Sequence, residues 1–246
     1  MAQTAERVNA VLAMGDMIAY APTARNLHYW PIDTAALTMP ERPASDGPLV
    51  VAHAPNHTHF KGTSYLEVAI ARLVEEGHAI VLSRVSGVPN TEVMRLFAEA
   101  DVVADQFIGG AYGYTALEAM ARGKPVLCYI RNLDMVMAAQ ECPILQSRPE
   151  TVYDVLKWCL ANRGKLGAIG RQGRAYIEKH HSLPAVAGRF AALYSETGDF
   201  PAGLTERWRS FRESEASRQC ALPVIEGWEH PFLVRDVAIS ESAFNQ

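Results

Sequence analysis

The stretch DVVADQFIGGAYGYTALEAMARGKPVLCYI, residues 101–130, contains a strand, a glycine-rich turn, a helix and a second strand. Asp101–Asp105 and Pro125–Ile130 are short, mainly apolar runs that read as strands. Thr115–Arg122 has the character of a helix, and Gly123 is placed to end it. The stretch therefore predicts two parallel strands joined by a crossover helix.

The same alternation continues towards the N-terminus. Leu49–His53 reads as a strand buried on both faces, Ala79–Val85 as the next strand, and Ser64–Glu76 and Asn90–Ala100 as helices. Ser64 also has the spacing of a capping box with a glutamate three residues later. Strands recur about every 25 residues with helices between them, which predicts an α/β fold with a Rossmann-like, doubly wound parallel sheet.

The two ends of the chain have a different character. Helical patterns around Thr151–Asn162, Ala168–His180 and Pro184–Glu196 predict a helical C-terminal part. Near the N-terminus, Ala5–Met14 reads as a helix and Met17–Tyr20 as a short strand. Four prolines between residues 22 and 43 then predict a linker. The last fifty residues follow no pattern that assigns them to a fold.

The composition excludes several classes of protein. The chain has 246 residues, 49% of them hydrophobic, and a net charge of −4, so extended nucleic-acid binding is not expected. No apolar run reaches the roughly 20 residues of a membrane span, and the N-terminus does not resemble a signal peptide. The four cysteines lack the spacing of metal or redox motifs. We therefore expect a cytoplasmic protein, with peripheral attachment to an inner membrane left open.

The loops that follow the strands are the expected place for a ligand, because ligands of open parallel sheets bind at the carboxyl ends of the strands. The loop from Gly109 to Tyr114 is rich in glycine and leads into a helix, which favours an anion site at the helix N-terminus. A tight turn without a ligand is an equally good interpretation of these glycines. Glu118 stands three residues after Thr115, so it could simply cap its own helix.

A second loop contains Lys61 directly before a predicted helix start. A positive charge at that end of a helix is unfavourable, and a bridging anion would remove the conflict. A solvated lysine is the more ordinary explanation. His53, His57 and His59 lie in the same loop, but no cysteine is near them in sequence, and we predict no metal site.

The chain resembles retaining glycosyltransferases of the GT-B fold, specifically the C-terminal, nucleotide-sugar-binding domain of the group 1, or family 4, type. The resemblance covers residues 48–195, and it is most specific in the run Leu117-Glu118-Ala119-Met120-Ala121, followed by Gly123 and Pro125-Val126. It implies three parts: residues 1–47 as a remnant of the N-terminal domain with its linker, residues 48–195 as the donor-binding domain, and residues 196–246 as an extension.

The resemblance also implies roles for individual residues. Lys61, with Gly62 beside it, takes the place of the lysine that holds the donor diphosphate, and Glu118 takes that of the glutamate on the ribose. Gly87 and Val88 lie where the family's backbone meets the base. The remaining donor-binding positions are in the glycine-rich loop and the start of its helix: Gly110, Tyr112, Gly113, Tyr114 and Thr115.

Two positions depart from the family pattern. Gly110 stands where the family has a glutamate that touches the transferred sugar, and Pro55 stands where it has an arginine. The resemblance implies transfer of a sugar, with retention, from a nucleoside-diphosphate sugar to an unknown sugar or lipid acceptor, without a metal or other cofactor. Because few residues precede residue 48, a partner chain that supplies the acceptor domain is an expectation. The alternatives are a non-catalytic nucleotide-sugar-binding module and a different enzyme on the same scaffold.

Overall fold

A parallel five-stranded sheet forms the centre of the molecule in the computed structural model, which describes residues 10–14, 17, 24–40 and 47–197. Its strands are listed here in chain order: β3 (Leu49–His53), β4 (Ile80–Arg84), β5 (Val102–Ala104), β6 (Val126–Cys128) and β7 (Leu145–Gln146). They are arranged in the order β4-β3-β5-β6-β7, and every neighbouring pair is parallel. The predicted doubly wound parallel sheet is confirmed.

Seven helices belong to the described residues. In chain order they are α1 (Thr58–Lys61), α2 (Thr63–Glu75), α3 (Asn90–Glu99), α4 (Tyr114–Ala121), α5 (Val152–Ala161), α6 (Arg163–His180) and α7 (Leu183–Thr197). The last three confirm the helical C-terminal part. Two short 3-10 turns, Leu133–Met135 and Ala139–Glu141, lie between β6 and β7.

Helices cover both faces of the sheet. One buried cluster joins β3 and β5 to α2 and α5, and its members include Leu66, Leu73 and Leu156. The other joins the opposite face to α3, α4 and α6 through residues such as Phe97 and Met120. The inner strands β3, β5 and β6 therefore bury side chains in two separate cores, which explains why their sequences are almost continuously apolar, whereas the edge strand β4 is largely exposed or half-buried.

The predicted capping boxes do not form. Helix α2 begins at Thr63 rather than Ser64, its N-cap is Gly62 with a φ of 71°, and no side chain caps it. Glu67 instead forms an ion pair with Arg84, 2.5 Å apart. Gly62 both ends α1 and precedes α2, and a glycine at the N-cap has no side chain that could accept from the first N–H groups of the helix.

The described part of the N-terminal region packs onto the C-terminal helices. The predicted helix over Ala5–Met14 is wrong where it is described, because Leu12–Ala13 (β1) pairs in parallel with Arg25–Asn26 (β2). The strand expected at Met17–Tyr20 falls largely outside the described residues. Further along, the Ile32 N–H donates to the His181 carbonyl oxygen over 2.7 Å. The proline-rich stretch is thus docked against the domain over residues 24–40.

Within the described residues, no helix combines the length and the apolarity that a membrane crossing requires.

Candidate functional site

The loops that follow β3, β4, β5 and β6 lie together at one edge of the sheet, because the strands are parallel. This carboxyl edge comprises residues 54–63, 85–90, 105–113 and 129–132. The chain order reverses between β3 and β5, since β3 has β4 on its other side. A reversal of this kind opens a crevice, and it is where open α/β sheets bind ligands.

Lys61 and Asp105 form an ion pair at this crevice. The Lys61 Nζ is 2.5 Å from Asp105 Oδ1, and the side chains are 12% and 0% exposed. The other oxygen, Oδ2, accepts a hydrogen bond from the Gly113 N–H over 3.1 Å. One buried carboxylate therefore connects the loop after β3, the end of β5 and the start of α4.

This ion pair changes the interpretation of Lys61. The lysine is the last residue of α1, where the helix C-terminus attracts a positive charge. Its partner is a carboxylate of the protein itself, so an external anion is not needed to explain its position. Lys61 still has N–H groups left for a ligand, since an ammonium group carries three. No local pattern in the sequence marks Asp105, because its partner lies 44 positions away.

The glycine pair of the loop is enclosed by two polar side chains. A Cβ at Gly109 would lie 2.2 Å from Gln106 Oε1, and a Cβ at Gly110 would lie 2.8 Å from Arg131 Cβ. Gly110 also has a φ of 79°, and its carbonyl accepts from the Arg131 N–H over 2.8 Å. These glycines are needed because neighbouring side chains fill the space that a side chain at 109 or 110 would use.

Gln106 is itself unusual. Its side chain is buried, and Oε1 has no hydrogen-bond partner among the described residues. Neither Gln106 nor Arg131 was identified from sequence. Gln106 could have been suspected from the sequence, because it directly follows the predicted strand Asp101–Asp105. No local pattern indicates that Arg131 packs on Gly110, 21 positions earlier.

The N-terminus of α4 presents backbone donors to the crevice. Gly113 is the N-cap, and its carbonyl accepts from the N–H groups of Ala116 and Leu117. The N–H groups of Tyr114 and Thr115 have no acceptor within the part of the chain that the structure describes. Together with the helix dipole, these two donors make the spot suitable for an anion.

Glu118 lies one turn further along α4 and does not cap it. Its Oε1 accepts a hydrogen bond from Asn90 Nδ2 over 3.0 Å, at the start of α3. Burial raises the pKa of Glu118, although the bond from Asn90 opposes this shift. The contact places Glu118 beside the loop that contains Gly87 and Val88, so these three predicted positions are brought together. Gly87 has a φ of 68° and Val88 is exposed.

The side chain of Tyr112 points away from the crevice. It is 3% exposed, and its hydroxyl contacts His181 Nε2 at 3.2 Å and Tyr176 at 3.4 Å. Burial raises the pKa of the Tyr112 phenol. Only the backbone of Tyr112 remains for a ligand. Tyr114, in contrast, is exposed and stacks on Trp30, with ring centroids 5.2 Å apart.

The histidines of the first loop are used separately. His53 is fully buried, and its ring nitrogens contact the Ala104 carbonyl oxygen at 2.9 Å and Thr63 Oγ1 at 2.8 Å. Burial lowers the pKa of His53. His57 and His59 are exposed. Among the described residues, no three metal-ligating side chains form a cluster that could hold an ion.

Comparison with solved structures shows that this fold is similar to that of several glycosyltransferases. No model of a protein family matches the sequence, and no curated protein matches it either. Solved structures do match. Sucrose-phosphate synthase from Thermosynechococcus elongatus is 16% identical, with a TM-score of 0.56 over 76% of this chain. Anabaena HepE, solved in complex with UDP-glucose, is 14% identical, with a TM-score of 0.57 over 77%.

The pneumococcal O-GlcNAc transferase GtfA, solved with UDP and GlcNAc, is a third similar structure, 14% identical with a TM-score of 0.52 over 80% of this chain. The chain spans only part of these proteins: 58% of the sucrose-phosphate synthase, 64% of HepE and 47% of GtfA. At this level of identity the likeness establishes the fold, and the resemblance to GT-B glycosyltransferases seen in the sequence is confirmed at that level.

Proposed function

We propose that this chain binds a nucleoside-diphosphate sugar at the carboxyl edge and takes part in transferring the sugar, with retention, to a sugar or lipid acceptor. The observation that carries the proposal is the convergence of Lys61, the N-terminal turn of α4 and Glu118 at the point where the strand order reverses. The similar structures that were solved with UDP or UDP-glucose support a donor of this class.

The diphosphate is assigned to the space between Lys61 and α4. An ammonium group and two unpaired backbone N–H groups are suitable partners for phosphate oxygens. During transfer, the leaving diphosphate gains negative charge, and donors fixed in advance around it stabilise that charge. Asp105 keeps the Lys61 ammonium beside the helix end, so little reorganisation is needed when the donor binds.

The ribose and the base are assigned to Glu118 and to the loop that contains Gly87 and Val88. A glutamate carboxylate can accept hydrogen bonds from two neighbouring hydroxyl groups, which is the chemistry of a ribose. The bond from Asn90 orients this carboxylate. The loop that contains Gly87 and Val88 ends at Asn90, the residue bonded to Glu118, so we assign the base to this loop.

The acceptor site is proposed to require more than the described residues. Transfer needs an acceptor held within about 3.5 Å of the reacting carbon and water excluded from the cleft. The chain spans about three fifths of the two first-named similar structures. We therefore propose that a further domain or a partner chain completes the acceptor side, and that the 246 residues alone bind the donor but transfer poorly.

Calorimetry with UDP and UDP-glucose, followed by incubation with labelled nucleotide sugars and a broad acceptor extract, tests this proposal. We expect saturable binding, slow hydrolysis of the donor, and transfer well below the ~1 per second of ordinary enzymes. Rapid transfer by the isolated chain would contradict the need for a partner. Binding with neither hydrolysis nor transfer would favour the non-catalytic binding module.

A further inference from the structure

Arg131 extends from the carboxyl edge beside the glycine pair. It lies in the loop after β6, and its backbone N–H donates to the Gly110 carbonyl oxygen. A Cβ at Gly110 would lie 3.5 Å from Arg131 Nε and 3.6 Å from its Cδ, so the arginine side chain runs across the α-carbon of this glycine. The side-chain chemistry at this point of the loop is therefore that of Arg131, whose side chain is exposed.

The charges of the carboxyl edge leave Arg131 as the unbalanced one. The four loops contain one lysine, one arginine and one carboxylate: Lys61, Arg131 and Asp105. Asp105 is paired with Lys61, so the charges of these two loop residues balance each other, although the Lys61 ammonium keeps N–H groups for a ligand. No carboxylate within the described ranges pairs with Arg131. Within these four loops, Arg131 is therefore the one cation that no loop carboxylate balances, and the nearby Glu118 on α4 is bonded to Asn90 instead.

We propose that Arg131 binds an anionic group of the ligand next to Gly110, as a second cation of the site. The inference rests on the proposed function. A guanidinium group binds phosphate or carboxylate through two parallel N–H bonds, and both groups have the same chemistry here. The anion is either the terminal phosphate of the donor's diphosphate or a carboxylate on the donor sugar, as in a hexuronic acid.

The test compares the wild type with Arg131→Gln in calorimetric binding of UDP, UDP-glucose and UDP-glucuronate. The variant should bind at least one of these ligands about tenfold more weakly, or worse, as expected for loss of a charge-assisted contact. Equal loss for all three identifies the phosphate as the anion. Loss restricted to UDP-glucuronate identifies the sugar carboxylate.

Arg171→Gln is the matched control, because Arg171 is exposed on α6 and its substitution changes the net charge by the same amount. It should leave all three affinities within about twofold. Arg131→Lys should recover part of the lost affinity, since it restores the charge without the two-pronged geometry. Thermal unfolding should be unchanged in Arg131→Gln, because the bond from residue 131 to Gly110 uses the backbone.

A change of less than twofold for every ligand in Arg131→Gln would overturn the inference while leaving donor binding intact. Inorganic pyrophosphate separates the two proposals. If the wild type binds no uridine, adenosine or guanosine diphosphate or its sugar but binds pyrophosphate in an Arg131-dependent way, the proposed function fails and the arginine site stands. If the wild type binds neither, both are overturned.

Discussion

The carboxyl edge and the cluster behind it use polar groups in opposite ways. We define the tyrosine–histidine cluster as His28, Tyr112, Tyr176 and His181, which join the docked segment 24–40 to α6. There the side chains are buried, and Tyr176 donates to the Met137 carbonyl oxygen over 2.5 Å. At the carboxyl edge, by contrast, Arg131 and the first N–H groups of α4 point outwards without protein partners in the described part of the chain.

This difference distinguishes the polar groups that stabilise the fold from those that remain available to a ligand. Buried polar groups that are bonded within the protein fix one arrangement of the chain, and their loss is felt in stability. Exposed donors and charges contribute little to stability and remain available to a ligand. The ion pair of Lys61 and Asp105 lies between these extremes, because it is buried yet directly beside the open donors.

The largest effect is expected behind the edge, at the contact of α6 with the turn after α4. A Cβ at Gly170 would lie 1.8 Å from the Gly123 carbonyl oxygen, which is much closer than two non-bonded atoms can approach. Gly170→Ala should lower the free energy of unfolding by at least about 3 kcal/mol, measured by urea titration.

Gly167→Ala on the same helix is the control. Its Cβ would meet only the end of the Arg171 side chain, 3.6 Å away. It should stabilise the protein by about 0.5–1 kcal/mol, because alanine favours helix more than glycine does. Similar effects of the two substitutions would show that α6 does not pack as described.

The next effect concerns the buried ion pair. Lys61→Met or Asp105→Asn alone should each cost about 3 kcal/mol of unfolding free energy, since each leaves one buried charge without its partner. The double variant should be more stable than the sum of the single effects predicts, which a double-mutant cycle measures.

Donor binding should stay weak in that double variant even where its stability recovers, because Lys61 has been lost. Additive stability losses would mean that the two side chains do not interact. Full recovery of binding along with stability would remove Lys61 from the site.

A smaller effect is expected in how the free energy of unfolding changes as the pH falls. Burial, together with the smaller effect of the nearby Arg189 charge, lowers the pKa of His181 to about 3 and that of His28 to about 4. The folded protein keeps both rings neutral, while the unfolded chain takes up protons below its usual pKa of about 6.5. The stability contributed by the neutral rings is therefore present above pH 6.5 and is lost as the pH falls towards 4.

At pH 5 the loss should be about 2 kcal/mol per histidine, measured as the difference between urea titrations at pH 7 and pH 5. His181→Phe should show a shallower decline with falling pH, although it starts from a lower stability. His59→Gln, an exposed histidine of the carboxyl edge, should keep the wild-type slope. An identical slope in His181→Phe would contradict the assignment.

The smallest effect is expected for Glu118→Gln. The amide keeps the shape of the side chain but loses the charge that accepts from ribose hydroxyls, so donor binding should weaken by about 1 kcal/mol. Stability should change by less than about 0.5 kcal/mol, as in the surface control Glu92→Gln. Lower stability with unchanged binding would assign Glu118 a purely structural role.

The sequence predicted the sheet and most helices because their signals are local. Apolar runs such as Leu49–His53 and the helix-ending Gly123 need no knowledge of distant residues. Lys61 and Glu118 were singled out by their places in a motif, and the structure brings both to the same edge. Whether they bind a ligand stays a prediction.

What the sequence did not reveal depends on contacts between distant positions. Asp105 meets Lys61, and Arg131 meets Gly110, only because the strands that carry them lie side by side. The capping boxes failed for the same reason, since Glu67 and Glu118 found partners on other elements, Arg84 and Asn90. Residues 24–40, predicted from their prolines to be part of a linker, instead pack against α6 and α7.

The stacking of Trp30 on Tyr114 has an optical consequence. The indole ring is 5.2 Å from the phenol that begins α4, so it reports on the place where we expect the diphosphate. The chain has four tryptophans, of which Trp158 lies in α5 on the other face of the sheet. Emission from Trp30 should therefore respond to ligand at the helix end, and a Trp30→Phe variant would show which part of the signal it contributes. Because residues 24–40 hold Trp30 beside the start of α4, intrinsic tryptophan fluorescence should follow ligand binding without an added label.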